Sequence, residues 1–263
     1  MHTSGWSARA GDDPNEDAAG VLGRVAVVLD GAGVPARFRA GCHHSVAWYS
    51  HALAARLLRH AQDDGLPLSA VLARGIAEVR DLHAHECALE RGGPSATVVM
   101  VRVGGEELEH LVLCDSSLLL ERRGGRVERL TDERIEQVVR VERTAEAIEA
   151  RRNAPGGFWV ARHEPEAAQQ AVTGSTPLAA LRAVHLVSDG VTRAIDLLAL
   201  HDAGSLARAL REDPEGVLRD LRRAERRLPE EGRPRKVHDD ATVLTLLPEL
   251  WGEQGAGPGG AER

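Results

Sequence analysis

Apolar positions along the chain follow two distinct periods. From Arg24 to Asp30 the run RVAVVLD has aliphatic residues with no polar alternation, which predicts a strand buried on both faces. ATVVMVRV at 96–103, LEHLVLCD at 108–115 and SLLLERR at 117–123 read the same way. RVERL follows across Gly124-Gly125, a hairpin signal. Further strands are expected at Ala183 to Ser188 and at 241–248 (ATVLTLLP). Helical spacing recurs in Ser45 to Arg59, in Leu68 to Leu89, and in a charged stretch from Glu133 to Arg152 that breaks at NAPGGFWV. A short helix over Pro165 to Val172 and helices near 191–200, 203–212 and 214–227 complete the pattern.

Helices do not alternate strictly with strands, and the central strands form a meander. The expected class is therefore α+β, antiparallel sheets covered by helices, and not a doubly wound nucleotide fold. No G-x-G-x-x-G follows a strand, and no G-x-x-x-x-G-K-[ST] is present. Residues 1–14 are expected to be irregular, 15–248 to form one domain, and 249–263, ending GEQGAGPGGAER, to be a flexible Gly-rich tail.

Composition narrows the picture further. A chain of 263 residues can bury one large core or two small ones. A net charge of −7 argues against a nucleic-acid partner and suits a site that gathers carboxylates around cations. Lys236 is the only lysine, which reads as a base-composition bias. Cys42, Cys87 and Cys114 are odd in number and lack C-x-x-C spacing, which argues against a disulfide framework or a structural zinc site. The first residues lack an apolar leader and no segment is apolar enough to span a bilayer, so the expectation is a cytoplasmic protein with no membrane partner.

Acidic residues recur at the tips of the hydrophobic strands. Asp30 ends VAVVLDGAG, Asp115 ends VLCDSS and Asp189 ends VHLVSDGV; Asp239 and Asp240 open the last strand, and Glu16 and Asp17 precede the first. One such carboxylate is usually a cap or turn residue. Brought together, five such places would repel one another and raise their pKa values unless a cation neutralised them. Hard divalent ions with oxygen ligands, Mg²⁺ or Mn²⁺, are the natural partners. Glycine after the aspartate lets a backbone carbonyl approach an ion without a Cβ in the way.

In this order, NED, VAVVLDGAG, CDSSLLLERRGG, LVSDGVT and DDATVLTL resemble the type-2C metal-dependent protein phosphatases, over about residues 15 to 247. The resemblance implies a four-layer α-β-β-α sandwich with a central antiparallel β-sandwich and a binuclear metal site at one end. It implies that Asp30 bridges two ions (Mg²⁺ or Mn²⁺), that the Gly31 carbonyl binds one of them, and that Asp189 and Asp239 complete the first ion. Glu16 and Asp17 would hold water or the second ion, and Asp115 with Asp189 would match a third, looser site. The implied chemistry is attack of metal-activated water on a phosphate monoester, with Asp30, Asp189 and Asp239 as the catalytic set. The sequence departs from the pattern where the family holds phosphate: Asp12 stands in place of the usual arginine, with Arg9 nearby but out of register. Cys114 and Ser117 replace a glycine and an arginine, and Ala32 follows the Asp-Gly pair.

Other candidates are weighed on local grounds. Cys42-His43-His44 could ligate a metal or supply a general acid, but reads more simply as the polar entrance to a helix beginning near Ser45. His43 and His44 are kept as candidate substrate contacts because they follow the Asp30 corner closely. His83, His85 and Cys87 alternate within a predicted helix, where they could not share a face. Phe158, Trp159 and Arg162 fall where the family carries a variable flap, so Arg162 is a candidate substrate contact, while a hydrophobic anchor for the flap is equally compatible. Trp48 and Tyr49 read as packing residues, and the charges from Arg140 to Arg152 as a solvated helix face. The expected substrate is a phosphoserine or phosphothreonine protein, with a specialised small phosphate ester as the alternative. A non-catalytic module of the same fold should have lost metal carboxylates, and this chain keeps Asp30, Asp189 and Asp239.

Overall fold

A computed structural model describes residues 2–32, 34–230 and 236–248. Among the described residues, ten strands form two antiparallel five-stranded sheets. In chain order they are β1 (His2–Ala8), β2 (Ala18–Leu22), β3 (Val25–Leu29), β4 (Val98–Gly104), β5 (Glu107–Leu113), β6 (Ser117–Arg122), β7 (Val127–Leu130), β8 (Val172–Pro177), β9 (Leu181–Val187) and β10 (Ala241–Leu247). One sheet has the order β1-β10-β9-β6-β7, the other β2-β3-β4-β5-β8. The helices are α1 (Val46–His60), α2 (Leu68–His83), α3 (Arg134–Val141), α4 (Ala145–Glu149), α5 (Asp189–Asp196), α6 (Ala203–Glu212) and α7 (Pro214–Glu225).

The continuous apolar runs have a direct cause: both faces of the central strands are covered. On β3, Val25, Val27 and Leu29 pack with Leu53, Leu57, Leu72 and Ile76 of α1 and α2. The alternate residues Ala26 and Val28 face the other sheet, where they meet Leu118, Leu186 and Leu244. On β10 the same alternation sends Leu244 and Leu246 between the sheets and Ala241 and Val243 toward α5, α6 and α7. The layers are thus helices, sheet, sheet, helices, as the resemblance implied. The connection from α1 to α2 is fastened by Arg102, buried on β4, which donates to the Asp63 and Leu66 carbonyls at 2.9 Å each and pairs with Glu109 at 2.6 Å.

Several expectations need correction. Residues 2–8, expected to be irregular, form the edge strand β1, paired from His2↔Leu247 to Ala8↔Ala241. Its side chains are mostly exposed, so backbone pairing with β10 and not an apolar face defines it. β2 and β8 were not expected, and β8, VTGSTP, is likewise an exposed edge. Helix α2 stops at His83 instead of running to Leu89. The charged stretch from 133 splits into α3 and α4, and Arg152 beyond them is buried against Phe158 and Glu149, not solvated. The expected tail lies outside the described residues, as does Gly33. Among the described residues no helix is long and apolar enough to cross a membrane.

Candidate active site

Strand register brings the acidic tips to one end of the sandwich. Ala18 opens β2 opposite Leu29, which ends β3, so Asp17 and Asp30 emerge side by side. Val98 pairs with Leu113, which leads through Cys114 to Asp115. Val187 ends β9 between Ser117 of β6 and Val243 of β10, placing Asp189 beside the chain entering β10 through Asp239 and Asp240. Asp30, Gly31, Asp115, Asp189 and Asp239 line one cleft of about 200 Å³, together with Thr97, Arg152 and Lys236. Glu16 lines an adjoining cleft of about 850 Å³ with Arg39, Val46, Lys236, His238 and Asp240.

Two glycines explain how the corner closes. A Cβ on Gly31 would lie 2.5 Å from Val46 Cγ1 and 2.6 Å from Glu16 Cβ. On Gly190 it would lie 1.9 Å from the Asp240 carbonyl oxygen. Any side chain at either position would therefore push apart the segments that carry the carboxylates.

The electrostatics show acids confined without enough positive charge. Burial, then the charges of Asp189 and Asp17, hold the Asp30 carboxyl well above its ordinary range. Burial pushes Asp17 up to about 7, against hydrogen bonding from Thr242 and Ser188. Burial and Asp189 push Asp115 up to about 7. Asp189 is raised by burial and Glu16 by burial. Asp17 Oδ1 is buried without a hydrogen-bond partner, while Oδ2 accepts from Ser188 Oγ at 3.0 Å. The set is all oxygen, hard and anionic, and its orphaned atom and raised carboxyls are what a divalent Mg²⁺ or Mn²⁺ would relieve.

The supports of this cluster are themselves buried. Asp240 accepts the Ala10 amide at 2.6 Å and the Glu16 amide at 2.7 Å, so it ties two loops together and is not free to ligate. Glu225 of α7, fully buried, pairs with Arg193 at 3.0 Å, Arg222 at 2.9 Å and His238 at 2.7 Å. Arg222 also donates to the carbonyl of Asp239. This network positions the segment Lys236–Asp240 over the cleft.

The candidate substrate contacts from the sequence lie elsewhere. Arg9 is exposed and donates to the Asp12 carbonyl of its own loop at 3.4 Å, and it lines neither cleft. Arg162 is neutralised by Glu164 at 2.5 Å and Glu149 at 3.3 Å. Tyr49 Oη donates to the Arg162 carbonyl, and Phe158 is buried, so the flap segment is an anchor. His43 and His44 group with Cys42, Cys87 and Glu86 and line neither cleft. Among the described residues, the cations that do face the clefts are Lys236, whose Nζ donates to Asp239 at 2.8 Å, Arg152 and Arg39. Sequence reasoning missed all three. Lys236 carried one signal, as the sole lysine sitting three residues before Asp239.

Comparisons with known proteins agree with this fold. The family described as Protein phosphatase 2C matches residues 4–236. Among solved structures, the fold is similar to PppA, a regulatory component of the type VI secretion system of Pseudomonas aeruginosa, at 20% identity and a TM-score of 0.59, covering 93% of this chain and 96% of that one. It is also similar to the catalytic domain of the serine threonine protein phosphatase PstP in complex with two manganese ions (18%, TM-score 0.61, 93% and 96% covered). A third is the serine/threonine phosphatase Stp1 from Staphylococcus aureus (14%, TM-score 0.62, 94% of each chain). No curated protein sequence is detectably similar to this chain. With the family match spanning most of its length and the carboxylates gathered at one end of the sandwich, the chain belongs to the protein phosphatase 2C family of metal-dependent phosphate monoester hydrolases.

Proposed function

We propose that the protein removes phosphate from phosphoserine or phosphothreonine in a protein substrate, using Mg²⁺ or Mn²⁺ held at the carboxylate cleft. The observation that carries this reading is the convergence of Asp30, Asp115, Asp189 and Asp239 on one cleft that opens beside a much larger one. Asp30, Asp189, Asp239 and the Gly31 carbonyl are the candidate ligands of the first ions, Glu16 and Asp17 would hold the second ion or its water, and Asp115 with Asp189 would offer a third position. Bound there, the ions would supply a water of lowered pKa and positive charge for the phosphoryl oxygens.

The chain's own groups do the rest. Lys236 and Arg152 present positive charge where a phosphate would enter, in place of the arginine that the sequence lacks at Asp12. Lys236 is tethered at both ends: Arg193 Nη2 donates to its carbonyl at 2.9 Å and its Nζ donates to Asp239. Burial pulls its pKa down, but Asp239, Glu16 and Asp30 outweigh burial and keep it raised, so it stays cationic at neutral pH. The larger cleft, bordered by Asp13, Arg39, Lys236 and His238, suits an extended polypeptide beside the scissile ester. PstP and Stp1, described as serine/threonine phosphatases, support the protein-phosphatase reading.

Phosphoserine and phosphothreonine peptides assayed against p-nitrophenyl phosphate and small metabolite-like monoesters, all with Mn²⁺, test the substrate class. Higher kcat/KM on peptides supports the proposal. Turnover confined to small esters would assign the protein to the alternative class.

A further inference from the structure

Away from the carboxylate cleft, four metal-ligating side chains meet where α2 ends. Cys42 and His44 lie on the segment that leads into α1, His83 is the last residue of α2, and Cys87 follows one turn later. One ligand atom from each of the four lies within 4.8 Å of all the others. Cys42 Sγ is 3.2 Å from His83 Nδ1 and 3.5 Å from His44 Nδ1; Cys87 Sγ is 3.7 Å from His44 Nδ1 and 3.0 Å from Cys42 Sγ. A tetrahedron with zinc–sulfur bonds near 2.3 Å and zinc–nitrogen bonds near 2.0–2.1 Å has edges of about 3.3–3.8 Å. The sulfur–nitrogen separations match within a few tenths of an ångström, while the two sulfurs, at 3.0 Å, lie closer than that edge and would move apart on binding.

We infer that Cys42, His44, His83 and Cys87 form a second metal site, distinct from the carboxylate centre, that takes one Zn²⁺ as a closed structural ion. Two thiols and two imidazoles are the soft donor set that selects zinc over Mg²⁺ or Mn²⁺, and four protein ligands leave no open position for catalysis. Binding releases the Cys42 and Cys87 thiol protons to solvent, and two thiolates with two neutral imidazoles make the site neutral around Zn²⁺.

The surroundings are built for this. His83 is 2% exposed and turns its Nδ1 to Cys42 Sγ. His44 turns its Nδ1 to the sulfurs and its Nε2 toward Glu86, 3.5 Å away, the carboxylate–imidazole arrangement that orients metal-bound histidines. The Trp48 ring covers His44 at 4.0 Å and His83 at 5.1 Å. The two ligand-bearing segments are locked backbone to backbone: Ala88 N donates to the Gly41 carbonyl at 2.8 Å, and a Cβ on Gly41 would lie 2.1 Å from the Ala88 oxygen.

The sequence reading weighed these residues in separate groups and set them aside for identifiable reasons. His83 and Cys87, four positions apart, share a face even of a helix running to Leu89, but the sequence reading grouped them with His85, which lies on another face. Although α2 ends at His83, Cys87 stays one helical turn beyond it, its N donating to the His83 carbonyl at 3.0 Å. The absence of C-x-x-C spacing was uninformative, since the ligand pairs come from segments about forty positions apart.

The ion would fasten the segment joining the Asp30-Gly31 corner to α1. That segment carries Arg39, Ser45 and Val46 of the larger cleft, and Val46 packs on Gly31. The site would therefore hold one wall of the substrate cleft in place.

The test is metal analysis and Co²⁺ substitution on the full chain. Wild type is expected to retain one Zn²⁺ through dialysis and, once exchanged, to show thiolate-to-Co²⁺ charge transfer with intense tetrahedral d–d bands. Cys42→Ser and Cys87→Ser should lose both, whereas Asp189→Asn should keep both, separating this site from the catalytic one. Glu86→Gln, which removes no ligand and leaves the fold intact, should weaken zinc by about ten- to a hundredfold. Reduced wild type that titrates as free thiols and takes up neither Zn²⁺ nor Co²⁺ would overturn the proposal. So would a Cys42–Cys87 disulfide that, once reduced, still binds no metal.

Discussion

At the scale of single residues, the carboxylate end stores unfavourable charge that only a cation relieves. Asp17 makes this measurable, since it is 4% exposed and pushed up to about 7 in the metal-free fold, against about 4 in the unfolded chain. A carboxyl raised on folding contributes stability that is fully present below the unfolded value and lost as pH rises through the folded one. The metal-free protein should therefore lose stability relative to Asp17→Asn between about pH 4 and pH 8, by on the order of 4 kcal/mol. Thermal midpoints of both proteins in chelator at pH 5 and pH 8 check the sign, and added Mn²⁺ at pH 8 should reverse the wild-type loss. Lys236 gives a second residue-scale prediction. Its ammonium competes with a divalent ion for Asp239, so Lys236→Met should tighten Mn²⁺ binding in calorimetry while raising KM for the phosphoester. Loosened Mn²⁺ binding would contradict the placement of this side chain.

At the scale of elements, the strands carrying the acids were legible and the strands at the edges were not. β3 and β10 announce themselves as unbroken aliphatic runs because helices and the opposite sheet cover both their faces. β1 and β8 have exposed side chains and exist through backbone pairing with β10 and β5, a signal that side-chain pattern does not carry. The same contrast runs through the site. Asp30, Asp115 and Asp189 were visible because each closes an apolar run. Arg152 and Arg39 were invisible because loops bring them in, and the Cys42–Cys87 cluster was weighed only in halves because those halves lie far apart in the chain. Helix α7 shows how an element far from the chemistry sets it up: Glu225 is buried among Arg193, Arg222 and His238, behind Asp239. Glu225→Gln leaves those cations underpaired and should cost about 3 kcal/mol in urea unfolding. It should also weaken Mn²⁺ binding, because the Lys236–Asp240 segment loses its anchor.

At the scale of the whole molecule, the sandwich is a device for bringing strand ends to one place. Ten strands in two sheets present Asp17, Asp30, Asp115, Asp189 and Asp239 at one end, while the hydrophobic layers behind them keep those ends from moving apart. The central claim is that this end is a divalent-metal centre for phosphoester hydrolysis. The most direct test is p-nitrophenyl phosphate turnover by wild type, Asp30→Asn and Asp189→Asn, each with Mn²⁺ and with chelator. Turnover should require Mn²⁺ and fall by roughly 10²-fold or more in both variants, as loss of a transition-state charge stabiliser does. Turnover that persists in chelator, or that survives both substitutions, would contradict that claim.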